Sequence, residues 1–199
     1  MGLIMENELG KDYWDKRYQQ NETGWDIGAV SSPLKEYFDQ LNKKSITILI
    51  PGCGNAYEAA YLLQNGFSNV TLVDISPVVT AQVSAQLEKY VGKQLRVITG
   101  DFFELDQTFD LIIEQTFFCA LDPTLREKYV VKMKTLLKPG GKLVGVLFDR
   151  IFDGGPPFGG NAAAYQKLFS PHFGQVMITP CYNSIPPRAG SEVFIKAAK

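Results

Sequence analysis

The chain has 199 residues, a formal net charge of −1 and 45% hydrophobic residues, the length and composition of one globular domain with a sizeable core. The balanced charge leaves no electrostatic footprint for nucleic acid or an anionic membrane. No apolar run approaches the ~18 residues of a membrane span, and the opening MGLIMENELG lacks the basic flank and apolar stretch of a secretory leader. Glu6 likewise stands where a myristoylation signal wants Ser or Thr. Three widely spaced cysteines (Cys53, Cys119 and Cys181) predict reduced thiols in a cytoplasmic protein. With His172 as the single histidine, no metal site is expected.

In chain order, a helix is predicted around residues 11–20, then a loop, NETGWDIGAVSSP, then a helix from Pro33 to about Leu41, Pro33 suiting a first turn. Aromatic residues, among them Trp14 and Trp25, stud this charged segment. From Ile46 a βα rhythm begins. ITILI is a strand and Ala56–Gln64 a helix ended by Asn65-Gly66. NVTLVDI is the second strand, and Pro77–Tyr90 a helix with Ser76 as its N-cap. LRVIT and FDLIIEQ follow as strands three and four. A helix then runs from Asp122-Pro123 to Leu137, KPGG turns the chain, and KLVGVLF is strand five. After the loop RIFDGGPPFGG come a short helix (Asn161–Phe169), the strand FGQVMIT, the loop YNSIPPRAGS and the strand EVFIKA. Alternation of strands and helices predicts right-handed crossovers and a mostly parallel sheet covered on both faces. The closing strand pair predicts an antiparallel edge. The whole chain is expected to be one domain, with residues 1–44 as an N-terminal segment on a core of residues 45–199.

The chemistry starts at Pro51-Gly52-Cys53-Gly54, between a predicted strand and a predicted helix. Glycines there let the backbone bend sharply and let a ligand approach, and the helix start presents free N–H groups. Asp74 ends the next strand, where a carboxylate can accept hydrogen bonds from ribose hydroxyls. A nucleoside-containing cofactor is therefore expected. Tyr57 occupies the position where a dinucleotide fingerprint wants a third glycine, which argues against a pyrophosphate. S-adenosyl-L-methionine, with a carboxylate, a ribose and an adenine but no phosphate, suits GCG followed closely by Ala56 better.

IPGCGNAYE, VDIS, GDFFEL, FDLIIEQTFFCAL, LLKPGGKL and GGPPF, in that order, resemble class I S-adenosylmethionine-dependent methyltransferases, and specifically the thiopurine S-methyltransferase family near its plant thiol and halide methyltransferase branch. YWDKRYQQNETGWDIG and SIPPRAGSE are similar too, so the likeness spans roughly Trp14 to Glu192. The resemblance implies a Rossmann-like α/β fold with a seven-stranded, mostly parallel sheet whose last strand is antiparallel. It implies that Trp14, Tyr18 and Trp25 close over the cofactor, Tyr18 standing where the plant branch has tryptophan. Gly52 and Gly54 would face the methionine part, Asp74 the ribose, and Asp101 with Phe102 the adenine. Glu114 and Gln115, where the plant branch has Asp-Tyr, would lie near the amino-acid part. Physically, indole faces attract a sulfonium by about 0.5–2 kcal/mol each; their alternative is core packing.

The implied reaction is in-line methyl transfer to a small soft nucleophile: a thiol, sulfide, thiocyanate or halide. A thiol with a pKa near ~8.5 is already partly ionised at neutral pH, so no strong general base is required, and the sequence offers none. His172 reads as a loop residue, and Cys53 and Cys119 as packing residues. Arg188 is the best anion-facing candidate, with a solvated loop arginine as its alternative. Asp149 either shapes the acceptor pocket or caps a loop. Phe117 and Phe118 are candidates to wall the acceptor. The strand-four end, Glu114-Gln115-Thr116-Phe117, lacks the (Asn/Asp)-Pro-Pro-(Tyr/Phe) motif of nucleic-acid amino-methyltransferases. Other readings are a non-catalytic cofactor-binding module, an oxygen or nitrogen acceptor, and a nicotinamide oxidoreductase. A monomer with a small-molecule acceptor, and with no nucleic-acid or membrane partner, is expected.

Overall fold

Seven strands form a single sheet in the order β3-β2-β1-β4-β5-β7-β6 in the computed structural model, which describes residues 9–199. The readings made on residues 1–8, the missing leader and myristoylation signals, lie outside these. The strands are β1 (Ile48–Pro51), β2 (Val70–Asp74), β3 (Leu95–Thr99), β4 (Phe109–Gln115), β5 (Leu137–Phe148), β6 (Gln175–Pro180) and β7 (Glu192–Ala198). The first five pair in parallel, and β7 runs antiparallel to both β5 and β6. The predicted antiparallel pair is thus present, but the edge belongs to β6, because β7 inserts between β6 and β5 and takes the full backbone ladder of each.

Six helices flank the sheet: α1 (Lys11–Gln19), α2 (Ser32–Asp39), α3 (Tyr57–Gln64), α4 (Pro77–Gln86), α5 (Arg126–Thr135) and α6 (Ala162–Phe169). Successive residues of a strand point to opposite faces, and here both faces are apolar. Ile48 and Ile50 of β1 join Phe38, Leu62 and Val83 of α2–α4 in one core, while Leu49 joins Tyr129, Met133 and Phe169 of α5 and α6 in the other. That explains the unbroken ILI and LII runs of the central strands.

Three boundaries depart from the sequence reading, each for a local reason. Helix α4 stops at Gln86, and the Tyr90 carbonyl accepts from the Gln94 and Leu95 amides, turning the chain into β3. Asp122 caps a single 3₁₀ turn (Pro123–Leu125) through the Thr124 amide, so α5 starts only at Arg126. The KPGG tetrapeptide bulges out of β5 rather than preceding it, since Leu137 pairs with Phe109 while Lys142 already pairs with Leu111.

Strand β1 has β2 on one side and β4 on the other, with their crossovers running to opposite faces. The C-terminal ends of these strands splay at that switch point, where α/β folds bind ligands.

Candidate active site

A cavity of about 260 Å³ opens at this switch point. Its floor is the turn after β1. Gly52, Gly54 and Ala56 all adopt left-handed backbone (φ +56°, +49° and +56°), a conformation that is costly for the non-glycine Ala56. A Cβ on Gly52 would sit 2.2 Å from Phe117 Cδ2, and one on Gly54 3.1 Å from the Tyr18 hydroxyl. The glycines are therefore bare in part for the protein's own rings, a tighter turn than the sequence reading supposed. The cavity nevertheless persists beside them and is bordered by Asp74.

Asp74, only 8% exposed, ends β2. One carboxylate oxygen accepts from the Ser76 amide (3.0 Å) and the other, at longer range, from the Gly54 amide (3.4 Å). Burial pushes its pKa up to about 6 against these amides, with Asp15 adding like charge. Asp101 lies exposed at the rim and accepts from the Phe103 amide (2.8 Å), capping the turn that presents Phe102. The buried Phe102 ring lies 5.3 Å from Phe117 and 5.9 Å from Tyr129.

At the end of β4 the backbone turns sharply, with Thr116 at φ +60°. Glu114 sets that turn. Fully buried, its carboxylate accepts from the Phe117 (2.8 Å) and Phe118 (2.9 Å) amides and from the Tyr129 hydroxyl. Burial raises its pKa to about 7. Gln115 is the neighbour that lines the cavity, and its side-chain oxygen is buried with no hydrogen-bond partner.

The N-terminal segment roofs the cavity. Trp25 makes edge-on contacts with Trp14 (5.5 Å) and Tyr18 (5.8 Å), and the Trp14 indole N–H donates to the Leu9 carbonyl (2.9 Å). Four polar ties fasten this roof to the core. The Ser76 hydroxyl, at the N-terminus of α4, donates to Asp15. Asn55 and Tyr57, at the start of α3, donate to Asp26. The Ser31 amide donates to Glu58 (2.9 Å). The Arg188 guanidinium donates to the Trp25 carbonyl.

The structure thus brings Trp14, Tyr18, Trp25, Gly52, Gly54, Asp74, Asp101, Phe102, Gln115 and Phe117 to one cavity. It leaves four other candidates outside the lining. Arg188 is not a free anion-facing group: 9% exposed, it pairs with Glu192 (3.2 Å), lies against the Phe148 ring and ties down Trp25. It is not a solvated loop arginine either. Asp149 caps α6 by accepting from the Ala162 amide (2.9 Å). Glu114 acts through the turn it holds, and Phe118 is sealed in the aromatic core. His172 meets Glu127 at 2.7 Å, away from the cavity. Burial holds the Cys53 and Cys119 thiols protonated by raising both pKa values.

Sequence reasoning missed Asp26, Asn55 and Glu58, all of which line the cavity. Asp26-Ile27-Gly28 does carry a turn signature, and the Asp26 carboxylate accepts from the Gly28 amide (2.6 Å). Glu58 carries none, because an acid in a helix's first turn reads as a solvated complement to the helix dipole.

Residues 9–190 match the model of the family described as thiopurine S-methyltransferase. The chain is similar to a probable thiol methyltransferase 2 of Arabidopsis thaliana (30% identity, covering 96% of this chain and 85% of the relative). It is also similar to thiocyanate methyltransferase 1 of the same plant (28%, covering 90% and 81%). Among solved structures, a Burkholderia thailandensis 1,6-didemethyltoxoflavin-N1-methyltransferase with bound S-adenosylhomocysteine superposes with a TM-score of 0.74 at 20% identity, covering 95% of this chain and 86% of that one; this likeness is one of fold.

Proposed function

The chain belongs to the thiopurine S-methyltransferase family of S-adenosylmethionine-dependent enzymes, and from that premise we propose how its residues transfer a methyl group to a small soft nucleophile: a thiol, sulfide, thiocyanate or halide. The observation that carries the reading is the cavity at the switch point, which gathers the bare Gly52–Gly54 turn, the Asp74 carboxylate and Gln115 in one lining. The ribose hydroxyls of an adenosyl group are donors suited to that carboxylate, and glycines without side chains leave the backbone open to its amino-acid part. The cavity therefore fits the cofactor by chemistry.

When bound, S-adenosylmethionine supplies an electrophilic methyl group on a cationic sulfur. Asp74 accepts from the ribose hydroxyls, and Asp101 and Phe102 flank the adenine. Gly52, Gly54 and Gln115 meet the amino-acid part. Trp14, Tyr18 and Trp25 cover the site, exclude water, and offer ring faces to positive charge, about 0.5–2 kcal/mol per ring. Phe117 walls the acceptor side. Glu114 is a positioning residue that holds the Phe117 and Phe118 amides, and Arg188 one that holds Trp25. Held in line, donor and acceptor gain most from orientation and from a dry site.

The segment from Leu9 to about residue 44 serves as a cover on a single catalytic domain. The enzyme works on small molecules as a cytoplasmic monomer, without nucleic acid or membrane. In support, the net charge is near zero, the three cysteines are free and buried, and no helix among the described residues is long and apolar enough to cross a membrane. The test is transfer of labelled methyl to an alkyl thiol, hydrosulfide, thiocyanate and iodide, with calorimetry of S-adenosylmethionine binding alongside. Transfer to at least one of them is expected; tight cofactor binding with no transfer to any overturns the acceptor class.

A further inference from the structure

Glu58 belongs to the first turn of α3, four residues past Gly54, and is 6% exposed. It lines the cavity. One of its oxygens accepts from the Ser31 amide at 2.9 Å. Among the described residues no other residue donates to its second oxygen; Glu58's own amide also favours the carboxylate, and the residue lines the cavity. Among the described residues no ion pair engages it. The charged groups that bear on it are Asp26 of the roof and Arg188 of the β6–β7 connection, and that guanidinium is already held by Glu192 and the Trp25 carbonyl. Burial raises the Glu58 carboxyl above its ordinary range. Among the described residues the charged lining is four carboxylates (Asp26, Glu58, Asp74, Asp101) against the single ammonium of Lys128.

A cavity of that sign disfavours an incoming anion and favours a neutral acceptor whose proton can be taken away. Resting on the methyltransferase reading above, we infer that Glu58 is the general base of this enzyme and that its preferred acceptor is a neutral thiol rather than iodide or thiocyanate. As the sulfur lone pair forms the new S–C bond, the S–H proton passes to the second Glu58 oxygen. The electron pair of the S–H bond stays on the acceptor sulfur, that of the broken C–S bond stays with the donor sulfur, and Glu58 later returns its proton to water. A weak base suffices, because the thiol proton becomes strongly acidic as its sulfur acquires positive character. General-base assistance of this kind is worth about 10²–10⁴ in rate.

Glu58→Gln is the test, because the glutamine oxygen keeps the Ser31 amide bond while losing the basic lone pair. The probes are 2-mercaptoethanol and iodide, which carries no proton. The expected result is a fall of about 10²-fold in kcat/KM for the thiol at neutral pH, with a far smaller change for iodide. The wild-type thiol rate should be flat between about pH 6.5 and 8, while the variant, limited to pre-formed thiolate, should gain about tenfold per pH unit. Carbon-13 spectra of the cofactor-free protein should lose one glutamate titrating above the ordinary range. Retained thiol activity in the variant, or an equal loss with thiol and iodide, overturns the inference. So does a tenfold-per-unit slope in the wild type, which needs no variant at all. Failure of the wild type to methylate either probe, or any acceptor of the wider panel, counts instead against the proposed acceptor class.

Discussion

The floor and the roof of the cavity are built by different physics. The floor (Gly52–Ala56, Asp74 and Glu114–Thr116) consists of strand ends continuous with the sheet, with buried carboxylates gripped by backbone amides and four left-handed residues held by packing. The roof (Leu9 to Ser31) is a polar segment with one short helix. It is attached by edge-on aromatic contacts and four hydrogen-bonded ties, Asp15–Ser76, Asp26–Asn55, Glu58–Ser31 and Arg188–Trp25. Burial of the sheet dominates global stability, whereas discrete hydrogen-bonded ties each contribute about 1 kcal/mol. Opening of the roof is therefore cheap relative to unfolding, as expected of a segment that admits a ligand. Three of the four ties end on, or beside, residues of the floor, so the seating of the roof reads the state of the glycine turn and of the first turns of α3 and α4.

The sharpest way to break this contrast is Gly52→Ala. The new methyl meets the Phe117 ring at 2.2 Å on a backbone at φ +56°. Left-handed strain of about 1–2 kcal/mol and overpacking of about 1–3 kcal/mol combine. A loss of several kcal/mol in urea unfolding and of cofactor binding in calorimetry is expected; wild-type stability would show that the turn is as yielding as the roof.

The next effect is pH. Asp74 and Glu114 have folded pKa values raised to about 6 and about 7. Their contribution is fully present below the unfolded carboxylate range near about 4 and is lost as pH rises through 6–7. It amounts to about 3 kcal/mol each at most. The cofactor-free protein should thus be more stable at pH 5 than at pH 8, as read from the urea midpoint. The roof tie at Asp15 has the opposite sign: its pKa is lowered by Lys11 and Ser76, outweighing burial, and its contribution is lost only as pH falls below the ordinary carboxylate range. A midpoint that falls steadily from pH 8 to 5 contradicts this assignment.

Asp74→Asn separates stability from function within the floor. Removing a buried, poorly paired charge should leave the cofactor-free protein as stable at pH 8 or more so. Affinity for S-adenosylmethionine should fall about 10-fold or more, since ribose hydroxyls lose a charged acceptor. Equal affinity in the two proteins removes Asp74 from the ribose site. The smallest expected effect is that of Trp25→Ala, on the roof. It should weaken cofactor affinity by about 10-fold while shifting the unfolding midpoint little, because Trp25 is only half-buried. A large loss of stability there would place the roof in the folding core.

The strands, the helices and the glycine turn were legible in the sequence wherever local rules set them. ITILI, the GCG turn and Asp74 follow one another within one βαβ unit, and Ser76 caps α4 through the Val79 amide as its type and place suggest. Roles that depend on distant partners were not legible. Arg188 sits in a Pro-rich loop that reads as solvent-facing, yet Trp25 and Glu192 enclose it. Asp149 ends a strand at the expected edge, but the start of α6 takes its carboxylate. Glu58 looks like an ordinary first-turn acid until the Ser31 amide and the cavity close around it.

By itself, then, the amino-acid order determined the α/β architecture, the antiparallel last strand and the backbone cradle beside an acidic strand end, because periodicity, caps and glycine turns act over a few residues. Only the folded chain decided that β7 lies inside the sheet, that Gly52 makes room for Phe117, and which carboxylates face the cavity. Those outcomes depend on groups that tertiary packing brings together from opposite ends of the chain, and whether a charge is buried, paired or free is a property of that surrounding shell.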